Sequence, residues 1–149
     1  MARTTDFLVT IRRIIKLYDS MLKGVCQQYQ LSLIEANIIS FLYNNPGKDT
    51  AGDIVELRML AKGNVSQAVE ALIRKSLLQR RQDNADRRKI HLSLLPAADP
   101  ITRDMDTIRQ QFHEEVFRGF STEEIAFFEK INGRIMENAK NAMERSDTK

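Results

Sequence analysis

The side chains best suited to chemistry in this chain are polar and basic ones in the middle of the sequence. Asn64, Ser66 and Gln67 stand near the start of a predicted helix, and their amide and hydroxyl groups can hydrogen-bond the edges of nucleic-acid bases. Arg87 opens a basic run, and a guanidinium at a hairpin tip suits a narrow, A·T-rich minor groove with a deepened negative potential. These residue types favour the reversible binding of a polyanion.

The distribution of charge supports the same interpretation. The chain has 149 residues and a formal net charge of +3. Residues 58–91 contain nine basic and three acidic side chains, which leaves +6 in this segment and −3 in the remainder. A basic segment in an otherwise ordinary protein is typical of a nucleic-acid-binding face.

Apolar residues at steps of three and four predict the helices that carry this segment. A long amphipathic helix covers about residues 7–29. Ser32 and Glu35 form a capping box that starts a second helix. Two short helices follow at roughly 50–58 and 62–76, and this pair has the dimensions of a helix-turn-helix.

A β-hairpin and two further helices complete the predicted order. Apolar and polar residues alternate in the segment 89–95, which pairs with 78–83 across a polar tip. Asp99, followed by proline, starts the next helix, and Ser121 with Glu124 forms a capping box before the last one. The sequence therefore predicts a mainly α fold with a small β-hairpin.

A known family shares this hairpin. Residues 77–93 read LLQRRQDNADRRKIHLS, and this run, together with the element order, resembles the MarR family of transcriptional regulators. That family carries an Asp-x-x-Asp-Arg-Arg signature at the hairpin tip, which here is Asp83, Asp86, Arg87 and Arg88. The element order matches over nearly the whole chain, and the specific motif covers about twenty residues.

The resemblance implies a winged helix-turn-helix fold, in which the hairpin is the wing, and an obligate-type dimer whose first and last helices interlock. It implies that the helix beginning near Lys62 enters the major groove and that Arg87 enters the minor groove. It also assigns Asp86 and Arg88 to salt bridges that hold the wing.

The chain departs from the family pattern at two places. Gln67 stands where the family often has an arginine that can pair with the wing aspartate, so the link between helix and wing is open. The usual wing ending of Leu-Thr followed by glycine is replaced at residues 92–96 by LSLLP, so we expect a different exit from the wing.

We predict one domain over residues 1–149. Its winged helix-turn-helix lobe covers residues 31–95, and residues 1–30 and 97–149 form a helical dimerisation region. The terminal helices support dimerisation, because so small a lobe cannot bury all of their large apolar residues. These residues include Phe7, Leu8, Ile11, Phe127, Phe128 and Ile131.

These features predict a sequence-specific regulator of transcription that binds double-stranded DNA. We expect a homodimer on an inverted-repeat operator, acting as a repressor that a small aromatic effector releases. The predicted DNA-binding residues are Lys62, Asn64, Ser66, Gln67, Arg74, Arg87 and Lys89. The candidate effector pocket comprises Tyr18, Met21 and Phe41, although residues at such spacing are more often core.

Two alternative functions stay open at this point. A winged-helix scaffold would use the basic wing to bind an acidic protein partner. A thiol-switch repressor would use Cys26, although nothing in the local sequence guarantees a lowered thiol pKa. His91, on the polar side of the second wing strand, is either a phosphate contact or a plain surface histidine.

The sequence argues against a catalytic, metal-binding or membrane protein. It contains no recognisable nucleophile and base pair and no phosphate-binding glycine loop, so we expect neither enzyme activity nor a cofactor. The single cysteine excludes an intramolecular disulfide, and His91 and His113 lack metal-ligand spacing. No signal peptide or membrane-spanning segment is evident, so we expect a cytoplasmic protein without membrane partners.

Overall fold

Six α-helices and a two-stranded hairpin make up the computed structural model, which describes residues 3–58 and 60–147. Their order is the one that the sequence predicts, and a short 3-10 turn at Pro96–Ala98 is added before α5. The elements are α1 (Thr4–Tyr29), α2 (Leu33–Asn44), α3 (Ala51–Arg58), α4 (Lys62–Arg74), β1 (Leu78–Gln82), β2 (Ile90–Leu94), α5 (Asp99–Val116) and α6 (Thr122–Asp147).

Reciprocal capping fixes the starts of α2 and α3. The predicted box at α2 is confirmed: the Glu35 amide donates to Ser32 Oγ at 3.1 Å, and the Ser32 amide donates to Glu35 Oε1 at 2.7 Å. Thr50 and Asp53 make the same exchange at α3, over 3.1 and 3.2 Å. Each box satisfies two amides that the first turn of a helix leaves free.

A left-handed residue, Ser76, ends α4 and directs the chain into the wing. Its φ is 61°, and its amide donates to the Ile73 carbonyl while the Leu77 amide donates to the Leu72 carbonyl, both at 3.0 Å. This is the Schellman arrangement, which usually has glycine at the left-handed position. The chain therefore reverses direction at Ser76, and β1 begins two residues later at Leu78.

The wing is an antiparallel hairpin that is attached to the loop before α3. Leu78 lies opposite Leu94, and Leu78 and Leu92 are buried, whereas Ile90, on the predicted apolar face, is 38% exposed. The Leu92 amide donates to the Asp49 carbonyl at 2.7 Å, so residues 49–50 pair with the free edge of β2. This pairing fixes the base of the wing relative to α3.

The exit from the wing leads directly into a 3-10 turn. The Leu95 amide donates to the Leu77 carbonyl at 2.9 Å, which closes the hairpin. Pro96 then starts the 3-10 turn, and Asp99 caps it as α5 begins. Pro96, whose φ is fixed by its ring, thus begins a direct entry into the next helix.

One apolar core joins the first five helices and the hairpin. It takes residues from every element between α1 and α5, so α3, α4 and the wing are positioned by packing as well as by capping. Its largest fully buried side chains are Leu22, Ile38, Ile39, Ile54, Val65, Leu72, Leu78 and Met105.

The chain divides into two compact units, Met1–Phe112 and His113–Lys149. In the second unit Gly119, with a φ of 82°, makes the turn into α6, and Ser121 and Glu124 form the predicted capping box over 2.9 and 3.1 Å. Within its described length α6 has no buried residue. Among the described helices none combines the length and hydropathy that a bilayer crossing requires.

Candidate nucleic-acid interface

Helix α4 turns one apolar face inward and one polar face outward. Val65, Ala68, Val69 and Leu72 are buried, which confirms the predicted inward face. The predicted contact residues Lys62, Asn64, Ser66, Gln67 and Arg74 are all exposed. The residue before the helix, Ala61, cannot cap it with a side chain, so the first amides of α4 are available to a phosphate oxygen.

Lys75 fixes α4 against α1 and α2. Its Nζ donates to the Gln30 carbonyl at 2.9 Å and to both carboxylate oxygens of Glu35 at 3.0 Å. Burial acts to raise the pKa of Glu35, but the hydrogen bonds from Ser32 and Lys75 outweigh it and the net pKa is lowered. The carboxylate is therefore held ionised beneath the helix.

A second ion pair joins α4 to the wing. Arg80 on β1 pairs with Glu70 on α4, and both side chains are about half exposed. This contact supplies the link between helix and wing that Gln67 leaves open in the sequence. Sequence reasoning missed it, because Glu70 and Arg80 become neighbours only when the chain reverses at Ser76.

The tip of the wing is shaped by Asp83. Its Oδ2 accepts hydrogen bonds from the amides of Ala85 and Asp86 at 2.9 and 2.8 Å. The Gln82 side chain donates to the Arg87 carbonyl at 3.0 Å, so the backbone of Arg87 is held while its guanidinium is exposed. The arginine is thus displayed on a turn that the Asp83 carboxylate holds through the amides of Ala85 and Asp86.

Asp86 and Arg88, the residues assigned to wing salt bridges, lie next to each other at this tip. Arg88 donates to Asp86 Oδ1 through its amide at 3.0 Å, and its Nε lies 3.5 Å from the same oxygen. Because the Arg88 side chain is 93% exposed, this pair stabilises the fold little. Lys89, the remaining predicted contact, is exposed just before β2.

His91 is not a plain surface histidine, which corrects one interpretation of the sequence. Its side chain is only 19% exposed, with Nδ1 2.7 Å from Asp49 Oδ1 and Nε2 2.7 Å from Asp83 Oδ1. The hydrogen bonds to Asp49 and then to Asp83 raise the pKa of His91. The same imidazole, helped by the amides of the tip, draws the pKa of Asp83 well below its usual range.

A cavity of about 310 Å³ lies among α1, α2, α3 and α5, within the first unit. Tyr18 and Phe41 line it, as predicted, but Met21 does not, because Met21 lies further round α1 and packs against the core. The full lining is Ile14, Ile15, Tyr18, Ser40, Phe41, Asn44, Asn45, Arg58, Arg109 and Phe112.

Two guanidinium groups stand at the wall of this cavity. Arg109 donates to Asn44 Oδ1 at 3.2 Å. Arg58, the last residue of α3, donates to Asn37 Oδ1 and lies with its Cζ 5.9 Å from the centre of the Tyr18 ring. The cavity therefore combines aromatic walls with cations, and one of these cations belongs to the helix-turn-helix.

Cys26 lies in a setting that suppresses thiol reactivity. The side chain is partly buried, and its Sγ contacts the Ser32 carbonyl at 3.7 Å. Burial, followed by the negative charges of Glu35 and Asp19, raises the pKa of the thiol. Because the thiolate is the reactive form, this setting disfavours the thiol-switch alternative.

Comparison with known proteins agrees with the winged helix-turn-helix fold described above. The model of the MarR family matches residues 29–89, which span α2 to the wing tip. The uncharacterized HTH-type transcriptional regulator YsmB of Bacillus subtilis (strain 168) is 27% identical over 130 residues, covering 87% of this chain and 88% of that protein.

Solved structures share the fold. The crystal structure of transcriptional regulator PA3341 superimposes with a TM-score of 0.78 at 20% identity, covering 91% of this chain and 98% of the other. Bordetella bronchiseptica BpsR, whose DNA binding is regulated by 6-hydroxynicotinic acid, superimposes with a TM-score of 0.65 at 19% identity, covering 88% and 98%. With its winged helix fold, its wing signature and the match over residues 29–89, the chain is similar to the MarR family of DNA-binding transcriptional regulators.

Proposed function

We propose that this regulator binds an inverted-repeat operator as a homodimer, with α4 in the major groove and Arg87 in the minor groove. The observation that carries the proposal is the pairing of two exposed surfaces on one lobe. The Arg80–Glu70 ion pair joins α4, which carries the polar face, to β1 of the wing, which carries Arg87 at its tip. A helix and a ribbon held together in this way can occupy neighbouring grooves of one duplex.

The residue types suggest separate roles in contacting phosphates and in reading bases. Asn64 and Gln67 can make paired hydrogen bonds to adenine, and Ser66 can bond several base edges. Lys62 at the start of α4 and Lys89 beside the tip suit phosphate oxygens, which fix register without reading sequence. Specificity is therefore expected from the first turns of α4, and general affinity from the basic residues.

Exposed apolar side chains support the homodimer. On α1, Phe7 is 46% and Leu8 56% exposed, and on α6, Phe127 is 66% and Phe128 42% exposed. Apolar surfaces of this kind on both terminal helices are typical of a subunit contact. A two-fold dimer presents two copies of α4 to half-sites one DNA turn apart.

We further propose that a small aromatic acid releases the repressor by entering the cavity beside Tyr18. The cavity volume of about 310 Å³ fits a one-ring ligand, and Phe41 and Phe112 offer apolar walls. A ligand carboxylate would compete with Asn37 for Arg58, which stands at the junction between α3 and α4. Binding would then favour a conformation with displaced recognition helices.

Fluorescence anisotropy with the chain's own upstream DNA tests this function. We expect that DNA to bind at least about a hundredfold more tightly than random duplex of equal length, with affinity falling steeply as salt rises. Arg87→Ala should weaken binding to both duplexes, whereas Arg118→Ala, on an arginine of the second unit paired with Glu115, should leave it unchanged. Equal binding of specific and random DNA would overturn the regulator proposal and favour the protein scaffold.

A further inference from the structure

The wing tip and the loop before α3 are bridged by a single imidazole. His91 Nδ1 lies 2.7 Å from the Asp49 carboxylate, and Nε2 lies 2.7 Å from the Asp83 carboxylate. Neither DNA contact nor effector binding, as proposed above, uses this bridge. It lies in the only β-structure of the described residues, between the helix-turn-helix and the residue that shapes the tip.

The geometry requires a donor on each side of the ring. An ionised carboxylate only accepts hydrogen bonds, so each of the two contacts needs an N–H from His91. The imidazolium has two N–H groups, whereas the neutral ring has one N–H and one lone pair. Loss of one proton therefore turns either the Asp49 or the Asp83 contact from attraction into repulsion between lone pairs.

The two carboxylates connect the protonation of His91 to different parts of the lobe. Asp49 immediately precedes the Thr50–Asp53 capping box that begins α3. Asp83 uses its second oxygen to accept the amides of Ala85 and Asp86, which form the turn beneath Arg87. The charge on His91 thus acts on the position of the tip relative to the helix-turn-helix.

The charged groups around the ring come from three segments. The loop before α3 contributes Asp49, with Lys48 beside it in sequence. The first wing strand contributes Asp83 at its end and Arg81 as the cross-strand partner of His91, and Lys89 precedes the ring on its own side of the hairpin. The two carboxylates in direct contact outweigh these more distant cations, since they raise the pKa of His91.

We propose that His91 is a positioning residue for DNA binding, which holds the wing in its groove-ready position only while both ring nitrogens carry protons. The consequence for affinity has a definite sign. Because the pKa of His91 is raised, the doubly bonded state is complete below its ordinary value of 6.5 and is lost as the pH rises through the higher value in the folded protein. Wing-dependent affinity for DNA is then lower at alkaline pH. This step rests on the proposed contact of Arg87 with DNA.

The test is a pH series of operator affinity at constant ionic strength, from pH 6 to pH 8.5. For the native sequence we expect affinity to fall by about three- to tenfold across this range. His91→Gln, which has a single donor nitrogen and cannot be charged, should give a flat profile. The chain has only two histidines, so His113→Gln, in the second unit, is the matched control and should keep the native profile.

A second variant separates positioning from direct contact with phosphate. Asp49→Asn removes one of the two carboxylates but leaves the tip bonds of Asp83 in place, and it should move the step in affinity to lower pH. It should also lower the midpoint of the His91 ring protons in NMR titrations without DNA. The positioning role of His91 would be overturned if His91→Gln kept the native change of affinity with pH. It would also be overturned if Asp49→Asn left the pH of that change where it is in the native protein.

The two proposals fail in different ways. If Arg87→Ala has native affinity at every pH, the wing does not contact DNA and the proposed function fails, while the NMR midpoints still report the bridge. If Arg87→Ala weakens binding and the native protein shows no step with pH, the wing contact stands and the role of His91 is overturned. Circular dichroism melts confirm that each variant is folded.

Discussion

Arg80 on β1 and Glu70 on α4 form an ion pair that links the wing to α4. The two residues are separated by the left-handed turn at Ser76, which brings the strand back alongside the helix. Both side chains are about half exposed, so the pair contributes more to the relative position of the two elements than to stability.

Glu70→Gln is expected to weaken operator binding several-fold, although it removes a negative charge from the face proposed to contact DNA. The reason is that Arg80 loses its partner and the wing loses one attachment. The free energy of unfolding should fall by only about 0.2–1 kcal/mol, as measured by urea denaturation. Glu56→Gln, on the exposed side of α3, is the control for charge alone. Tighter binding by Glu70→Gln would contradict a positional role.

Gln67→Ala should relax sequence preference without a uniform loss of affinity. Truncation removes the amide proposed to read adenine, which is expected to cost about 1–3 kcal/mol on the operator and little on random duplex. Competition binding against single-base operator variants measures the change. Gln111→Ala, on the exposed side of α5, should have no effect. An equal loss on every duplex would show that Gln67 acts through phosphate or through folding.

Lys75→Met is expected to destabilise the lobe by about 1–3 kcal/mol, because the carboxylate of Glu35 is left almost buried without its cation. Lys23→Met, on an exposed lysine of α1, is the control. Thermal or urea unfolding at pH 7 gives the difference. If the two variants unfold alike, the contacts of Lys75 with Glu35 and Gln30 do not stabilise the fold.

The Glu35 pair also predicts a pH dependence. The pKa of Glu35 is lowered on folding, so its contribution is complete above its ordinary value of 4.5 and is lost as the pH falls through the lower value in the folded state. In Glu35→Gln this part of the acid destabilisation should be missing from urea melts between pH 6 and pH 3. An identical pH profile would contradict an ionised Glu35.

Arg58→Lys should retain operator binding and lose most of its response to aromatic acids. Lysine keeps the charge but cannot make the paired contacts of a guanidinium with a carboxylate or lie over the Tyr18 ring in the same way. The measurement is release of operator DNA by a panel of one-ring acids. Arg103→Lys, on an arginine that does not line the cavity, should respond like the native protein. Normal release in Arg58→Lys would remove Arg58 from the effector proposal.

Phe127→Asp is expected to shift the protein from dimer to monomer and to abolish tight operator binding. A charge placed in an apolar subunit contact is costly, and a monomer reads only one half-site. Light scattering with size-exclusion chromatography gives the mass. Asn141→Asp adds the same charge to the exposed end of α6 and serves as the control. A dimer of unchanged mass would place the subunit contact elsewhere.

Local signals in the sequence were enough to predict the helices, the hairpin and the resemblance to the MarR family. The steps of three and four, the boxes at Ser32 and Ser121 and the alternation around Leu92 act within a few residues, so they are readable without a structure. The inward face of α4 follows from the same periodicity. The signature from Asp83 to Arg88 indicated a wing, because a tight tip depends on its own side chains.

Tertiary structure alone decided which distant residues meet. Sequence periodicity put His91 on a polar strand face, but only the pairing of residues 49–50 with β2 places Asp49 beside it. The Arg80–Glu70 pair needs the reversal at Ser76, and the removal of Met21 from the cavity lining depends on how α1 is rotated against the core. Periodicity specifies which side of an element is apolar, whereas contacts between elements depend on their rotation and register, which long-range packing sets.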